Sequence, residues 1–472
     1  FHPVILYNIY RICFGRRNKR RGSNPSVSLC ILFYIAAKER KNSPAGKLQR
    51  KALMRRHNYG ISIRVKFQKR NSMFDNTQFV FSCIVMYAIK NPLECMRFLL
   101  FFQSYDTPLY IYQKHCTIKL GMEVTKERFG LLSSGEAASL FTISNGTMSF
   151  SATDYGCCIT SILLPAAHGG YDDVVLGYST LEGYLFNKPH FGSIIGRCAG
   201  RISNAEFSLE GKTYHLTRNS DGKHCLHGGY PAYDRQLWKA DIISEADEAG
   251  VRFSKTSPDG EQGFPGKVHF TVSYTLNKEN TITLRYEAPT TQTPPINLTN
   301  HTYFNLNPAG MQADGGYVSV LNHQVRLFAS RYTEVDAALL PTGRLIPVEG
   351  TPFDFRTPKL LSQDFNQLEN GYDGTWLLDA NGAEPLQSAA VVTELTTGRT
   401  LSIYSTQPAI TMYTANFLNG ERGKNGDVYN KHSAVCFETQ HIPDSPNRPE
   451  FPPVWVRPDE AYRHETQWRF TV

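Results

Sequence analysis

Beyond residue 121, apolar and polar residues alternate along most of the chain. In residues 267–276, Val268, Phe270, Val272, Tyr274 and Leu276 fall on one face of a strand, because successive strand side chains point to opposite sides. Asn277 to Asn280 supply a turn, and Thr281 to Tyr286 run back with Ile282, Leu284 and Tyr286 in phase, which predicts a hairpin. Phe207 to Leu209, the Glu210-Gly211 turn and Lys212 to Leu216 repeat the pattern on a shorter scale. Glu465 to Val472 alternates as well and predicts a strand that closes the domain. No apolar i, i+3, i+4, i+7 pattern is sustained for helix-like lengths. Many short strands punctuated by Gly, Pro and Asn predict an all-β domain. That pattern implies a sandwich or barrel, and since the length is too great for a single small sandwich, a large double-sheet antiparallel structure fits best.

Charge divides the chain at the same place. The 472 residues carry 50 Lys+Arg and 42 Asp+Glu, a formal +8. Residues 1–121 hold 22 basic against 4 acidic residues, net +18, leaving 28 against 38, net −10, for residues 122–472. The first part begins with Phe1 and carries the basic clusters Arg16 to Arg21 and Lys69-Arg70, which can mark nucleic-acid contacts, address signals or a solvated tail. Its apolar stretches, Ser28 to Ala37 and Phe79 to Ile89, are about half the ~20 residues of a membrane-spanning helix. The order apolar, basic, apolar does not suit a secretory signal. There is no Gly-x-Gly-x-x-Gly turn, and Cys13, Cys30, Cys83, Cys95 and Cys116 lack the paired spacing of a zinc site. The break at Met122 predicts that Met122 is the natural start, that residues 1–121 are an upstream basic extension, and that 122–472 form one large β-domain. In that domain Cys157, Cys158, Cys198, Cys225 and Cys436, an odd set with an adjacent pair, argue against a disulfide framework and for a reducing, cytoplasmic setting.

Four stretches concentrate polar, chemistry-bearing residues. Gly196 to Arg201 is followed by His224-Cys-Leu-His-Gly-Gly229, where the i, i+3 histidines on a glycine-bounded turn make a poor zinc site. Gly211-Lys-Thr213 resembles the end of a phosphate loop, but Glu206 stands where its first glycine belongs. Asn297 to Asn305 contains His301, which taken alone is better read as a hydrogen-bonded structural histidine than as a catalyst. Asn370 to Asp373 reads as an ordinary turn that Asp373 could cap. In Val435 to Pro449, Glu438 and His441 have the Glu-x-x-His spacing of di-iron bundles, but Pro443, Pro446 and Pro449 forbid the helix such a site needs. What remains is a carboxylate at a strand end beside a rigid loop, a suitable mount for a general base. Without a Gly-x-Ser-x-Gly elbow or a Cys–His pair, acyl transfer has little support. A two-carboxylate glycosidase using Asp373 and Glu438 stays open. Tyr303, Phe304, Trp376 and Phe417 are candidates to pack under a sugar ring or to fill the core.

In order and spacing, these stretches resemble the aldose 1-epimerase (galactose mutarotase) family. The likeness runs from about Met122 to Val472 and includes Asp173 to Tyr178, Leu181 to Tyr184, Asn187 to Gly192, Gly196 to Ile202, Leu226 to Gly229, Asn297 to Leu306, Gly350 to Arg356, Gly371 to Asp373, Thr406 to Pro408, Glu438 to His441 and Tyr462 to His464. The resemblance implies a large antiparallel β-sandwich, interconversion of the α- and β-anomers of a neutral aldohexose such as galactose or glucose, and no metal or organic cofactor. It implies Glu438 as general base at the C1 hydroxyl and His301 as acid at the ring oxygen. Arg201, His227 and Asp373 match positions expected to hold sugar hydroxyls and the C1/O5 region. The pair is expected to rest with Glu438 ionised and His301 at least partly protonated. Two positions depart from the pattern: Gly200 where Asn is common, and Gly374 where His is common. The alternatives are a non-catalytic sugar-binding regulator or a sugar-phosphate epimerase on the same fold; nucleic-acid binding rests on residues 1–121 alone. The resemblance implies a small-molecule sugar partner and neither nucleic acid nor membrane for 122–472; oligomeric state is left open.

Overall fold

The hairpin expected at 268–286 forms: strands Val268–Asn277 and Thr281–Ala288 pair antiparallel, with Leu276 opposite Ile282, Tyr274 opposite Leu284 and Val272 opposite Tyr286. All six of these side chains are buried. The computed structural model describes residues 122–472 apart from 168, 309–318 and 380–384, together with four strands ahead of them, Cys30–Phe33, Ile84–Tyr87, Met96–Ser104 and Thr107–Cys116. The chain splits into two units, Phe1–Leu120 and Gly121–Val472, close to the break in charge. In the first unit the four strands form one antiparallel sheet, two of them inside the apolar stretches noted above. The basic clusters at 16–21 and 69–70 lie outside the described residues.

In the second unit the hairpin belongs to a nine-stranded antiparallel sheet whose order is Lys239–Ser244, Glu248–Ser257, Val268–Asn277, Thr281–Ala288, Tyr462–Thr471, Thr400–Ser405, Gln387–Glu394, His323–Leu327 and Lys359–Leu360. The strand expected at 465–472 forms as Tyr462–Thr471 and lies in the middle of this sheet, paired on both sides. Tyr462, Thr466, Trp468 and Phe470 alternate as buried residues along it. An edge position would leave one row of its backbone groups unpaired. A six-stranded sheet, Tyr303–Phe304, Val435–Gln440, Ala409–Tyr413, Asp373–Leu377, Arg331–Val335 and Pro341–Pro347, and a five-stranded one of residues 123–173 complete the main framework. Among the described residues the single α-helix is the short Leu181–Leu185.

One hydrophobic cluster joins the three sheets. It draws Val272, Tyr274, Leu284 and Trp468 from the nine-stranded sheet, Phe304, Trp376, Met412 and Phe437 from the six-stranded sheet, and Phe141 and Phe150 from the third. Trp468 meets Phe304 edge to face at 5.0 Å, a direct contact between the two larger sheets. The second unit is therefore an antiparallel β-sandwich with its core between the sheets. Two buried arginines lock loops to this frame: Arg399 bonds Asp172 at 2.6 Å and the Leu306 carbonyl, and Arg197 bonds the Pro265 and Pro258 carbonyls. No helix among the described residues is long and apolar enough to cross a membrane. We expect Trp468→Ala to lower unfolding free energy by about 3–5 kcal/mol, as large-to-small changes in a core do, measured by urea denaturation.

Candidate active site

Strand alternation divides the six-stranded sheet between core and chemistry. Tyr303, Cys436, Tyr413 and Asp373 are cross-strand partners in one row, and Glu438, Thr411 and Thr375 form the next row on the same face. The other face carries Phe437, Met412, Ile410 and Trp376, all in the core cluster. Glu438 thus lies within strand Val435–Gln440 and not at its end. Of the aromatics proposed for sugar packing, Tyr303 is on the site face. Phe304 and Trp376 face the core, and Phe417 is largely exposed, stacked on Tyr413 at 6.0 Å.

His301 comes from a two-stranded ribbon in which strand Thr299–His301 pairs with Ser193–Ile195. Its ring stacks on Tyr303 at 5.0 Å, and its Nε2 stands 3.6 Å from Glu438 Oε1. The asparagines around it are braces. Asn297 accepts from His441 N–H and donates to the His441 carbonyl, Asn300 donates to the Gly192 carbonyl and the Tyr274 hydroxyl, and Asn305 donates to the Ser433 carbonyl. This explains the asparagine density of residues 297–305: each side chain ties the His301 segment to a distant loop.

His227 enters from the turn after strand Cys225–Leu226, which pairs with Arg201–Ile202 and so brings Arg201 alongside. Gly200 holds His227 by both backbone groups: its carbonyl accepts from His227 N–H at 3.0 Å, and its N–H donates to His227 Nδ1 at 3.2 Å. An Nδ1 that accepts leaves Nε2 as the ring's N–H donor. Gly200 has φ +74°, and a Cβ there would lie 2.6 Å from Pro443, so a side chain at this departure from the family pattern would be strained. Of the two arginines in 196–201, Arg197 is a structural brace, while Arg201 turns toward the site with its buried Nε unbonded. His224 accepts from Asn204 N–H at 3.1 Å, and among the described residues no group of three metal-ligating side chains forms.

All five site residues expected from the sequence are brought together. His227 and His301 have ring centroids 5.7 Å apart, Asp373 acts electrostatically on Glu438, and Arg201 acts on both Asp373 and His227. Their charges follow from burial. Glu438 is 4% exposed, and loss of water, reinforced by the Asp373 carboxylate, pushes its pKa up to about 8. Burial raises Asp373 to about 6 against the pull of Arg201. His301, 6% exposed, is lowered to about 3 by burial and then by His190, and burial holds His227 well below the ordinary imidazole range. Against the resting charges that the resemblance implies, the surroundings favour neutral Glu438 and neutral His301, because neither ion is solvated.

His190 is the residue that the sequence reading missed. Its ring lies 5.1 Å from that of His227 and 6.1 Å from that of His301, and its Nδ1 is 2.7 Å from Asp234 Oδ2. It sat in the matching stretch Asn187 to Gly192, but its partner is 44 residues further on, so nothing local singled it out.

The face as a whole, a carboxylate against an imidazole ringed by a guanidinium, a second imidazole and a second carboxylate on an antiparallel β-sandwich, is chemically suited to acid–base proton transfer. Comparison with known proteins sharpens the class. The aldose 1-epimerase family model matches residues 139–469. The galactose mutarotase of Rattus norvegicus is 41% identical over 354 residues, covering 74% of this chain and 99% of that protein. The aldose 1-epimerase of Escherichia coli (strain K12) is 34% identical over 344 residues, 71% of this chain and 96% of that protein. Among solved structures, a GalM/aldose epimerase homologue from C. elegans aligns with TM-score 0.62 at 28% identity, over 69% of this chain and 95% of that one. The galactose 1-epimerase of Lactobacillus acidophilus NCFM shares the fold, with TM-score 0.64 at 24% identity over 74% and 99% of the two chains. This chain belongs to the aldose 1-epimerase family.

The raised Glu438 pKa sets a stability test. The folded chain keeps this proton up to about pH 8, whereas an unfolded chain releases it near the ordinary 4.5. Between those values the unfolded state binds fewer protons, so this group's contribution to stability is full below 4.5 and is lost as pH rises toward 8. Glu438→Gln is expected to melt higher than the wild type at pH 8 and to lose that advantage at pH 5, measured by calorimetry.

Proposed function

We infer that this chain is a mutarotase that interconverts the α- and β-anomers of a neutral aldohexose such as D-galactose or D-glucose. The observation that carries the reading is the buried Glu438–His301 pair at 3.6 Å, facing Arg201, His227 and Asp373. In the proposed cycle Glu438 takes the proton of the C1 hydroxyl while His301 gives one to the ring oxygen. The C1–O5 bond breaks, and its electron pair stays with O5. The product is the open-chain aldehyde, with Glu438 now a neutral acid and His301 a neutral imidazole that keeps one ring N–H. Rotation about C1–C2 presents the other carbonyl face. Reclosure returns the proton from Glu438 to O1 and takes the O5 hydroxyl proton back to His301, as microscopic reversibility requires.

Burial favours one stage of this cycle. The closed-ring complex needs a carboxylate and an imidazolium; ring opening converts them to a neutral acid and a neutral imidazole. The surroundings favour that second pair, so the environment that opposes the resting ions stabilises the opened intermediate. His227, with Nε2–H as donor, together with Arg201 and Asp373, would hold the sugar oxygens. Fixed donors and acceptors of this kind supply rate through orientation.

Catalysis is placed in residues 122–472, a reading supported by the family match at 139–469 and by relatives whose nearly whole length aligns there. Residues 1–121 are given no part in it. A cytoplasmic setting belongs to the same proposal and is supported by five buried thiols at Cys157, Cys158, Cys198, Cys225 and Cys436.

Polarimetry of freshly dissolved α-D-galactose or α-D-glucose tests the function; an unchanged approach to anomeric equilibrium would overturn it. Glu438→Gln and His301→Asn are each expected to lower kcat by about 10²–10⁴-fold, the usual worth of a positioned acid or base. Full activity in either variant would remove that residue from its role.

A further inference from the structure

His190 is built into the site more firmly than a surface histidine needs. The turn that carries it is set by Asn187, whose side chain accepts from Phe191 N–H and donates to the Phe191 carbonyl. Tyr303, in the same row as Asp373 and Cys436, donates its hydroxyl to the Pro189 carbonyl at 2.9 Å and anchors the turn to the site face. His190 itself has φ +61°, a left-handed backbone that a non-glycine residue adopts at some expense in energy, and His227 beside it has φ +52°. Such outliers concentrate where a side chain must be aimed.

The aim is set by Asp234. This carboxylate is 1% exposed and accepts from His190 Nδ1–H at 2.7 Å, with Arg235 Nε 3.6 Å away. A carboxylate that accepts at Nδ1 fixes the ring's orientation and leaves Nε2 as the free polar atom. Among the described residues Nε2 has no hydrogen-bond partner. The ring is 23% exposed; one side packs on His227 and His301, and the other lines a cleft of about 510 Å³ shared with Asp234, Leu226, Thr217, Asn219 and Tyr230.

We propose that His190, oriented by Asp234, is a third imidazole of the sugar site, a positioning residue whose Nε2 hydrogen-bonds a hydroxyl other than the one at C1. The inference rests on the mutarotase reading. Glu438 and His301 serve the reacting oxygens, and His190 stands nearer to His227 than to His301. Its bond is thus made to an unreacting part of the sugar, before and after ring opening alike. An interaction of equal strength in both states changes KM and leaves kcat nearly untouched.

The test is steady-state polarimetry with galactose, glucose and a set of singly deoxygenated hexoses. His190→Phe retains the packed ring and removes Nε2. It is expected to raise KM about tenfold, the worth of one hydrogen bond, with kcat within about threefold. Asp234→Asn should move KM in the same direction by less. One deoxyhexose should lose the same factor with the wild type and lose nothing more with His190→Phe. Equal losses across every sugar, or an unchanged KM, would overturn the proposal. If His190→Phe does not fold, the ¹⁵N resonance of His190 Nε2 in the wild-type chain decides: a shift on saturation with galactose supports it and a static resonance refutes it. Absence of wild-type mutarotation would instead overturn the functional reading.

Discussion

The site depends on a carboxylate held out of water within a β-sheet. Glu438 can be kept there only because the flanking residues of its strand point the other way, so that Phe437 is buried in the core while Glu438 faces the chemistry. A helix would spread these roles around a cylinder, whereas a strand separates them cleanly at every second residue. The desolvation that makes ionised Glu438 costly is the same effect that keeps His301 neutral, and the two groups stand 3.6 Å apart. In the proposed cycle the groups around that pair, Arg201, His227 and Asp373, would hold the sugar.

His227 and His190 stand on turns, and these turns, like the short His301 ribbon, are held by side-chain to backbone hydrogen bonds. Asn297, Asn300 and Asn305 brace the segment of His301, Gly200 cradles His227, and Asn187 sets the turn of His190. Except for the local Asn187–Phe191 pair, each brace joins parts of the chain that are distant in sequence, and all of them satisfy backbone groups that a loop would otherwise bury unpaired. The rigid sandwich supplies positions, and these bonds convert them into directions.

Much of this was legible in the sequence. Alternation at 268–286 and 206–215 placed real strands, and the resemblance carried in ordered stretches named five side chains that converge in space. What stayed hidden depended on distance and on water. The mid-sheet position of strand Tyr462–Thr471 is a matter of strand order, about which alternation is silent. The neutral preference of Glu438 and His301 comes from desolvation, which needs the packed surroundings. His190 escaped notice because its partner Asp234 lies in another loop, and the choice between sugar packing and core for Phe304 and Trp376 stayed open because residue type does not reveal which face of a strand turns inward.

Strand Tyr462–Thr471 has a consequence for how the molecule is made. It is the bridge between Thr281–Ala288, with the strands beyond it, and Thr400–Ser405, with its own neighbours. During translation the two halves of the nine-stranded sheet therefore emerge with facing edges open, and neither edge finds its partner until residue 462 and those after it leave the ribosome. Assembly of the sandwich is thus a late event dominated by contacts between distant residues, the slow kind of folding, and the nascent chain must keep two exposed edges from pairing with other chains in the meantime.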